Sequence, residues 1–291
     1  MKRNSPAAPD QTQHTWSKAM LIEIVDLTSK THGLDLSPFD ETFFAKSLDK
    51  RLAATQAATQ AAYAERLTHD YSEAVALLHS LKIVYSEFFR NQLAFALLEQ
   101  QILPSLIEER QKSGSGEIRV WSAGCASGQE AWSVAILLAE LTGGRESPVS
   151  YRIIATDLSE SDLDLASCGV YSADAIGNVR SRHLREYFSR KGDSFTIAPR
   201  LRERVDFLPY DLLDENTTCP PESIFGNFDL VLCSNVLFYY RPEMQRLILS
   251  KVWRCLASGG HLLTDQSEQR IVTKACGFLC PTPPAALFTK I

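Results

Sequence analysis

No apolar run in these 291 residues is long enough to cross a bilayer. The longest, Ala131 to Leu141, is broken by Ser133 and Glu140. The stretch Met1 to Trp16 is polar and lacks the apolar centre of a signal peptide, so a cytoplasmic location without membrane insertion is expected. There is no surplus of positive charge either: 30 Lys and Arg stand against 35 Asp and Glu, a formal charge of −5. A nucleic-acid binder usually leaves a basic footprint, and none is expected as a partner here. Paired cysteines are missing too. The seven cysteines include no C-x-x-C, and Cys276 and Cys280 have three residues between them and no nearby His. That excludes zinc-type spacing, no metal is expected, and the thiols read as reduced, mostly small packing residues.

What is present suits a globular chain: 45% hydrophobic and 22% charged residues, with length for roughly two domains. Residues 1–15 read as a loose tail. Helical patterns follow at Trp16 to Ser29, Asp40 to Ala58 with Asp40 as N-cap, and Tyr71 to Ile83, which makes 16–88 an all-helical domain. An Ala/Gln/Thr-rich segment, Ala53 to Ala62, lies among them. Asn91 to Glu109 continues helically, with Pro104 expected to break or kink it.

From Glu117 the pattern alternates. Strands are expected at Ile118 to Trp121, Tyr151 to Thr156, Arg204 to Leu208, Phe228 to Cys233 and His261 to Thr264, with terminal strands at Leu279 and Ala286 to Ile291. Helices are expected at Gln129 to Leu141, Glu160 to Cys168 and Pro242 to Ala257, the last ended by Gly259-Gly260. This alternation over 89–291 predicts a doubly wound α/β sheet. Residues 171–203 interrupt it as an insertion, holding a helix (Val179 to Arg190) and a short strand (Ser194 to Ile197).

Three segments carry chemistry. Val120 to Gly128 is a strand, a small-residue loop and a helix start, where backbone can approach a ligand closely. It is neither G-x-G-x-x-G nor a P-loop, and a plain tight turn is the other reading. Asp157 ends the next strand, where an acid takes ribose hydroxyls in nucleotide-binding sheets; an N-cap for the next helix is the alternative. Cys233 to Tyr240 follows the fourth strand, which brings Asn235 and Tyr239 to the carboxyl edge, or simply packs two tyrosines on the crevice wall.

Read together, these segments resemble the CheR family of chemotaxis-receptor glutamate methyltransferases. Ile118 to Ser133 (IRVWSAGCASGQEAWS) is similar to the family's S-adenosylmethionine loop. Ser86-Glu87-Phe88-Phe89-Arg90 resembles its T-x-F-F-R, Ala155-Thr156-Asp157 its ribose acid, and Leu208 to Leu213 its N-L-L segment. Ser234 to Tyr240 resembles R-N-V-L-I-Y-F, and Ser267-Glu268 a late S-E. The resemblance covers Phe39 to Ile291. It implies a class I S-adenosylmethionine methyltransferase fold with an all-helical N-terminal domain and a small inserted β-subdomain.

The resemblance also implies roles. Glu130 and Asp157 would bind the methionine and ribose parts of the cofactor. Asp211, Leu212, Asn235 and Val236 would surround the adenine, Ala123 and Gly124 would form the loop floor, and Ser86 would complete the cofactor set. Arg90 and Tyr239 would face the methyl group and the acceptor. The implied activity is methylation of glutamates on the cytoplasmic helices of chemoreceptor-like proteins; a different acceptor, or a catalytically silent cofactor-binding signalling module, are the alternatives. Departures from the pattern stand at Gln129, Asp211, Ser234 and Arg241, and at Val84. Lys46, Lys50 and Arg51 remain of a basic receptor-facing helix, and with Asp49 among them they read as a solvated face. The segment Lys191 to Glu203 would be the inserted subdomain.

Overall fold

The computed structural model of the chain describes residues 16–81, 86–114, 116–143, 149–223, 226–280 and 285–291. The expected tail over 1–15, the end of the third helical pattern at Ile83, and Val84 lie outside the described residues. The chain divides into two compact units, Met1–Ile83 and Val84–Ile291.

The first unit is helical: α1 (Lys18–His32), α2 (Glu41–Thr55), α3 (Gln60–His69) and α4 (Tyr71–Leu81). Asp40 caps α2 as expected, its carboxylate accepting from the Thr42 and Phe43 N–H groups at 2.9 and 3.0 Å. Helix α3 is a correction, because the Ala/Gln/Thr segment reads as low complexity. Thr59 caps it, and Tyr63 and Leu67 bury one stripe. A second correction concerns Arg51. Lys46 and Lys50 are exposed, but Arg51 forms a fork with the buried Glu73 at 2.9 and 2.6 Å. Tyr63 donates to the same carboxylate at 2.8 Å. Arg51 therefore holds three helices together rather than lying on a solvated face.

The second unit opens with α5 (Gln92–Leu97), a wide π-turn (Leu98–Ile102) and α6 (Leu103–Ser113). Pro104 does not end the helix. It sits in the first turn of α6, where its missing N–H is tolerated and the π-turn absorbs the misfit. Then follow β1 (Glu117–Ala123), α7 (Gln129–Thr142), β2 (Ser150–Asp157), α8 (Glu160–Cys168), β3 (Val170–Ser172), α9 (Ser181–Tyr187), β4 (Phe188–Lys191), β5 (Ser194–Ile197), α10 (Pro199–Arg202), β6 (Val205–Pro209), β7 (Phe228–Leu232), α11 (Pro242–Cys255), β8 (Leu256–Leu263), α12 (Gln269–Thr273), β9 (Phe278–Leu279) and β10 (Leu287–Lys290).

Seven strands form one sheet in the order β6-β2-β1-β7-β8-β10-β9. The pairs β6–β2, β2–β1, β1–β7 and β7–β8 are parallel, and β10 is antiparallel to both neighbours. Alternation along β1 explains the layers. Ile118 and Val120 enter one apolar cluster with Leu103 and Ile107 of α6, Val134 and Leu138 of α7, and Leu163 of α8. Trp121 and Ala123 enter the other, with Ile248 and Val252 of α11 and Val272 of α12. Each such side chain stabilises the fold by about 1.5–3 kcal/mol. Strand order reverses between β1 and β7, so a crevice opens at their carboxyl ends.

Two further expectations change. The helix expected over Val179 to Arg190 is shorter. Phe188 leaves it to pair with Ile197, and both bury in a three-stranded antiparallel sheet of order β3-β5-β4. The inserted sheet thus draws its strands from both sides of Lys191. Gly259 and Gly260 do not end a helix but lie inside β8, where the register against β7 shifts. A Cβ on Gly260 would stand 2.9 Å from the Phe228 carbonyl, so the irregular ladder needs the bare backbone. All seven cysteines are free thiols; Cys168 and Cys276 are exposed rather than packed.

Arg241 occupies the N-cap of α11 and makes no side-chain cap hydrogen bond. An aspartate there can accept from the first-turn N–H groups. Arg241→Asp is therefore expected to raise the free energy of unfolding by about 1 kcal/mol, read from urea denaturation curves.

Candidate active site

The crevice is built from three turns at the carboxyl edge of the sheet. The first, Gly124 to Gly128, leaves β1 and enters α7. Gly124, Ala126 and Gly128 all have left-handed backbone, with φ of 74°, 47° and 88°. The loop is tied down from β2: the Gly124 and Cys125 N–H groups donate to the Thr156 carbonyl at 2.8 and 2.9 Å. Close packing explains both glycines. A Cβ on Gly124 would meet Val236 Cγ2 at 2.7 Å, and one on Gly128 would meet Ala166 Cβ at 2.8 Å.

Ala126 has no such freedom, and its left-handed backbone costs about 1–2 kcal/mol. Its N–H donates to Asp157 Oδ2 at 2.8 Å, while Asp157 Oδ1 accepts from the Ser159 N–H at 3.0 Å. The N-cap of α8 is Ser159, so the alternative role of Asp157 as cap does not hold. A carboxylate has about four acceptor sites. Two are taken among the described residues, and the side chain is half-buried.

Glu130 lies in the first turn of α7, half-buried. Burial raises its carboxyl to about 7; the Ser234 hydroxyl and the Arg90 charge oppose the rise, and Glu268 and Asp265 add to it. Gln129 is buried and receives the Ser127 hydroxyl at 2.9 Å. A neutral amide costs less to bury there than an ionised acid.

The second turn follows β7. Asn235 is left-handed at φ 60°. The Asn235, Val236 and Leu237 N–H groups all donate to the Glu268 carboxylate, at 2.8, 2.8 and 2.6 Å, and the Asp265 N–H joins them at 3.2 Å. Glu268 is wholly buried, which pushes its carboxyl up to about 7 against the pull of those four donors. Sequence reasoning gave Glu268 no task. Its only signal was the late Ser-Glu pair. Tyr239, in the short helical turn Leu237–Tyr239, packs on Phe238 with ring centroids 4.2 Å apart. Burial raises its hydroxyl, and the Arg90 charge opposes that.

The third turn follows β6. Its entry is fixed by the Tyr210 N–H on the Asp157 carbonyl at 3.0 Å. Asp211 accepts the Leu213 N–H at 2.8 Å, and Leu212 is buried. Tyr240 joins this turn to the others. Its hydroxyl is pushed up to about 12 by burial, with the Asp211 and Asp157 charges adding to it.

Arg90 arrives from the segment before α5. Phe88 is buried edge-on to Tyr171 and Phe188, and Phe89 stacks on the buried His183 at 5.6 Å. The Phe89 N–H donates to Ser133 Oγ at 3.1 Å. Arg90 follows directly, exposed, and its charge influences the ionisation of Glu130 and Tyr239. Burial lowers the affinity of His183 for a proton, so this ring is neutral. The structure thus brings together Arg90, Ala123, Gly124, Glu130, Asp157, Asp211, Leu212, Asn235, Val236 and Tyr239. Ser86 is half-buried at the start of the same segment.

Residues 85–276 match the CheR methyltransferase, SAM binding domain family. The chain belongs to the CheR methyltransferase family. Its fold is the class I methyltransferase sheet, and its cofactor is S-adenosylmethionine. The chain is 29% identical, over 85% of its length, to an uncharacterized 104.1 kDa protein of Rhodobacter capsulatus, of which it spans 25%. It is 32% identical, over 81% of its length and 85% of the other's, to a chemotaxis protein methyltransferase of Listeria innocua. Among solved structures, the DszA carbon methyltransferase is similar at 17% identity, over 85% of this chain and 51% of that one, with a TM-score of 0.39.

The donor set of this CheR-family crevice fits the cofactor. Glu130, Asp157, Asp211, Asp265 and Glu268 make it acidic, which suits a ligand carrying sulfonium and ammonium charge. Gly124→Ala places a methyl group against Val236 on left-handed backbone. It is expected to weaken S-adenosylhomocysteine binding by about tenfold, measured by calorimetric titration.

Proposed function

We propose that this chain methylates glutamate side chains on the cytoplasmic helices of chemoreceptor proteins, giving glutamyl methyl esters. The observation that carries the reading is the Arg90 charge acting on both Tyr239 and Glu130 in an otherwise acidic crevice. The name of the Listeria innocua relative supports the acceptor class. On this reading the reaction takes place in the cytoplasm.

S-adenosylmethionine, when bound, supplies an electrophilic methyl group carried on a sulfonium. Glu130 holds its ammonium group, and Asp157 accepts its ribose hydroxyls with the sites left open by Ala126 and Ser159. Asp211, Leu212, Asn235 and Val236 enclose the adenine, Ala123 and Gly124 form the floor, and Ser86 closes one edge. A glutamate acceptor is already ionised at pH 7, so no general base is required. Arg90 draws the anionic acceptor into a crevice whose own carboxylates would repel it. Tyr239 donates to one acceptor oxygen and leaves the other in line with the methyl group.

Two outcomes test this reading. Incubation with receptor-containing membranes and radiolabelled cofactor is expected to give a base-labile ester on protein. Tyr239→Phe is expected to lower that rate by about 10- to 100-fold, the worth of one hydrogen bond to a charged group, with S-adenosylhomocysteine affinity within threefold of wild type. Label that survives base, or appears on a small molecule, would point to another acceptor. Absence of labelled product despite tight S-adenosylhomocysteine binding would leave the signalling-module alternative.

The second outcome is a pH dependence. Glu130, raised to about 7 in the free protein, must ionise to hold an ammonium group, so binding releases a proton. Affinity for S-adenosylhomocysteine is therefore expected to rise by about tenfold from pH 6 to pH 8. Calorimetry in buffers of different ionisation enthalpy reads the proton release directly, and Glu130→Gln shrinks it.

A further inference from the structure

We propose that Glu268 is the positioning residue of the reaction: its carboxylate fixes the turn that presents Asn235 and Val236 to the cofactor and Tyr239 to the acceptor. The proposal rests on the cofactor reading above. It assigns a task to a side chain outside the ligand-contacting set.

The geometry carries it. A turn leaving a parallel strand has N–H groups with no strand partner, and buried donors must be satisfied. Here three consecutive donors, on Asn235, Val236 and Leu237, converge on the two oxygens of one carboxylate, within 2.6–2.8 Å. Such convergence curls the backbone around the anion and accounts for the left-handed φ of 60° at Asn235. The Asp265 N–H fills a fourth acceptor site, inside a capping box that anchors Glu268 itself. The carboxylate is fully buried and all four of its acceptor sites are used.

No other residue type can replace it. Glutamine matches the volume, but its amide nitrogen would face N–H donors. The acid form of glutamate also turns one acceptor into a donor, so the turn is held by the ionised side chain. Glu130, Tyr239 and the Cys233 thiol face this charge from α7 and from the strand and turn it caps, and Asp265 adjoins it in its own turn. Glu130 and Glu268 repel one another across the crevice, and a cationic ligand relieves that repulsion. Val236 is also the residue that packs against Gly124, so the turn fixed by Glu268 sets the position of the first loop.

The test combines a variant with a measurement on the wild-type protein. In amide NMR spectra of the wild type, the Asn235, Val236 and Leu237 N–H signals are expected to shift together with one common pH midpoint, as donors to one titrating carboxylate do. Glu268→Gln is expected to abolish that shared titration and to raise the S-adenosylhomocysteine Kd at least tenfold in the fraction that remains folded. In turnover, KM for the cofactor rises rather than kcat alone falling. A purely architectural role predicts a lower melting temperature and less active protein, with Kd and KM unchanged; that result overturns the proposal. So does a wild type in which the three amides titrate independently, a measurement that stands even where Glu268→Gln does not fold. Failure of the wild type to bind S-adenosylhomocysteine would instead overturn the cofactor reading.

Discussion

Backbone N–H groups left over where parallel strands end must find acceptors, and in this crevice those acceptors are carboxylates. Asp157 receives Ala126 and Ser159. Glu268 receives Asn235, Val236 and Leu237. Asp211 receives Leu213. Each of the three turns that line the crevice is thereby folded around an anion belonging to another part of the chain or to the turn itself. The left-handed residues Ala126 and Asn235 sit where these bonds close, so the backbone strain and the charges that relieve it occur together.

This constraint has an electrostatic consequence. Several carboxylates share a small and partly desolvated volume, and two of them are pushed up to about 7. Architecture and ligand preference then have one cause: anions that satisfy the turns also make the crevice complementary to a cation. On the function proposed above, a glutamate acceptor would run against that preference, because it would enter as an anion. Arg90 would then answer the difficulty; it follows Phe88 and Phe89, which are held by aromatic contacts rather than by a place in the sheet. Separating a cation-holding floor from an anion-receiving rim would allow one crevice to bring opposite charges together.

Much of the sheet was legible because its strands are apolar runs bounded by Gly, Pro or Asp, and because α7, α8 and α11 carry strong periodicity or an N-terminal proline. The loop at Gly124 and the acid at Asp157 were legible for the same reason, since each stands at a strand end. What escaped depends on partners distant in sequence. Helix α3 is weakly apolar and is held by the burial of Tyr63 and Leu67 and the bond from Tyr63 to Glu73. Phe188 continues a helical pattern but is taken into the inserted sheet by Ile197. Gly259 and Gly260 look like a helix stop, yet they serve a shifted register against Phe228. Glu268 stood only in the late Ser-Glu pair, because three of its four donors are more than thirty residues away.

The departures from the family motif follow the same logic and fall into different kinds. Gln129 is buried and paired with Ser127, so a neutral side chain lowers the burden of charge on a floor that already carries Glu130. Arg241 sits at the N-cap of α11, where it makes no side-chain cap hydrogen bond. Ser234 is different. Its hydroxyl supports Glu130 where the motif has an arginine, so this crevice has one positive charge fewer. That missing charge leaves the repulsion between Glu130 and Glu268 less compensated in the free protein. The cation that completes the balance must then come from the ligand, which ties the order of the crevice to its occupancy more closely than an arginine would.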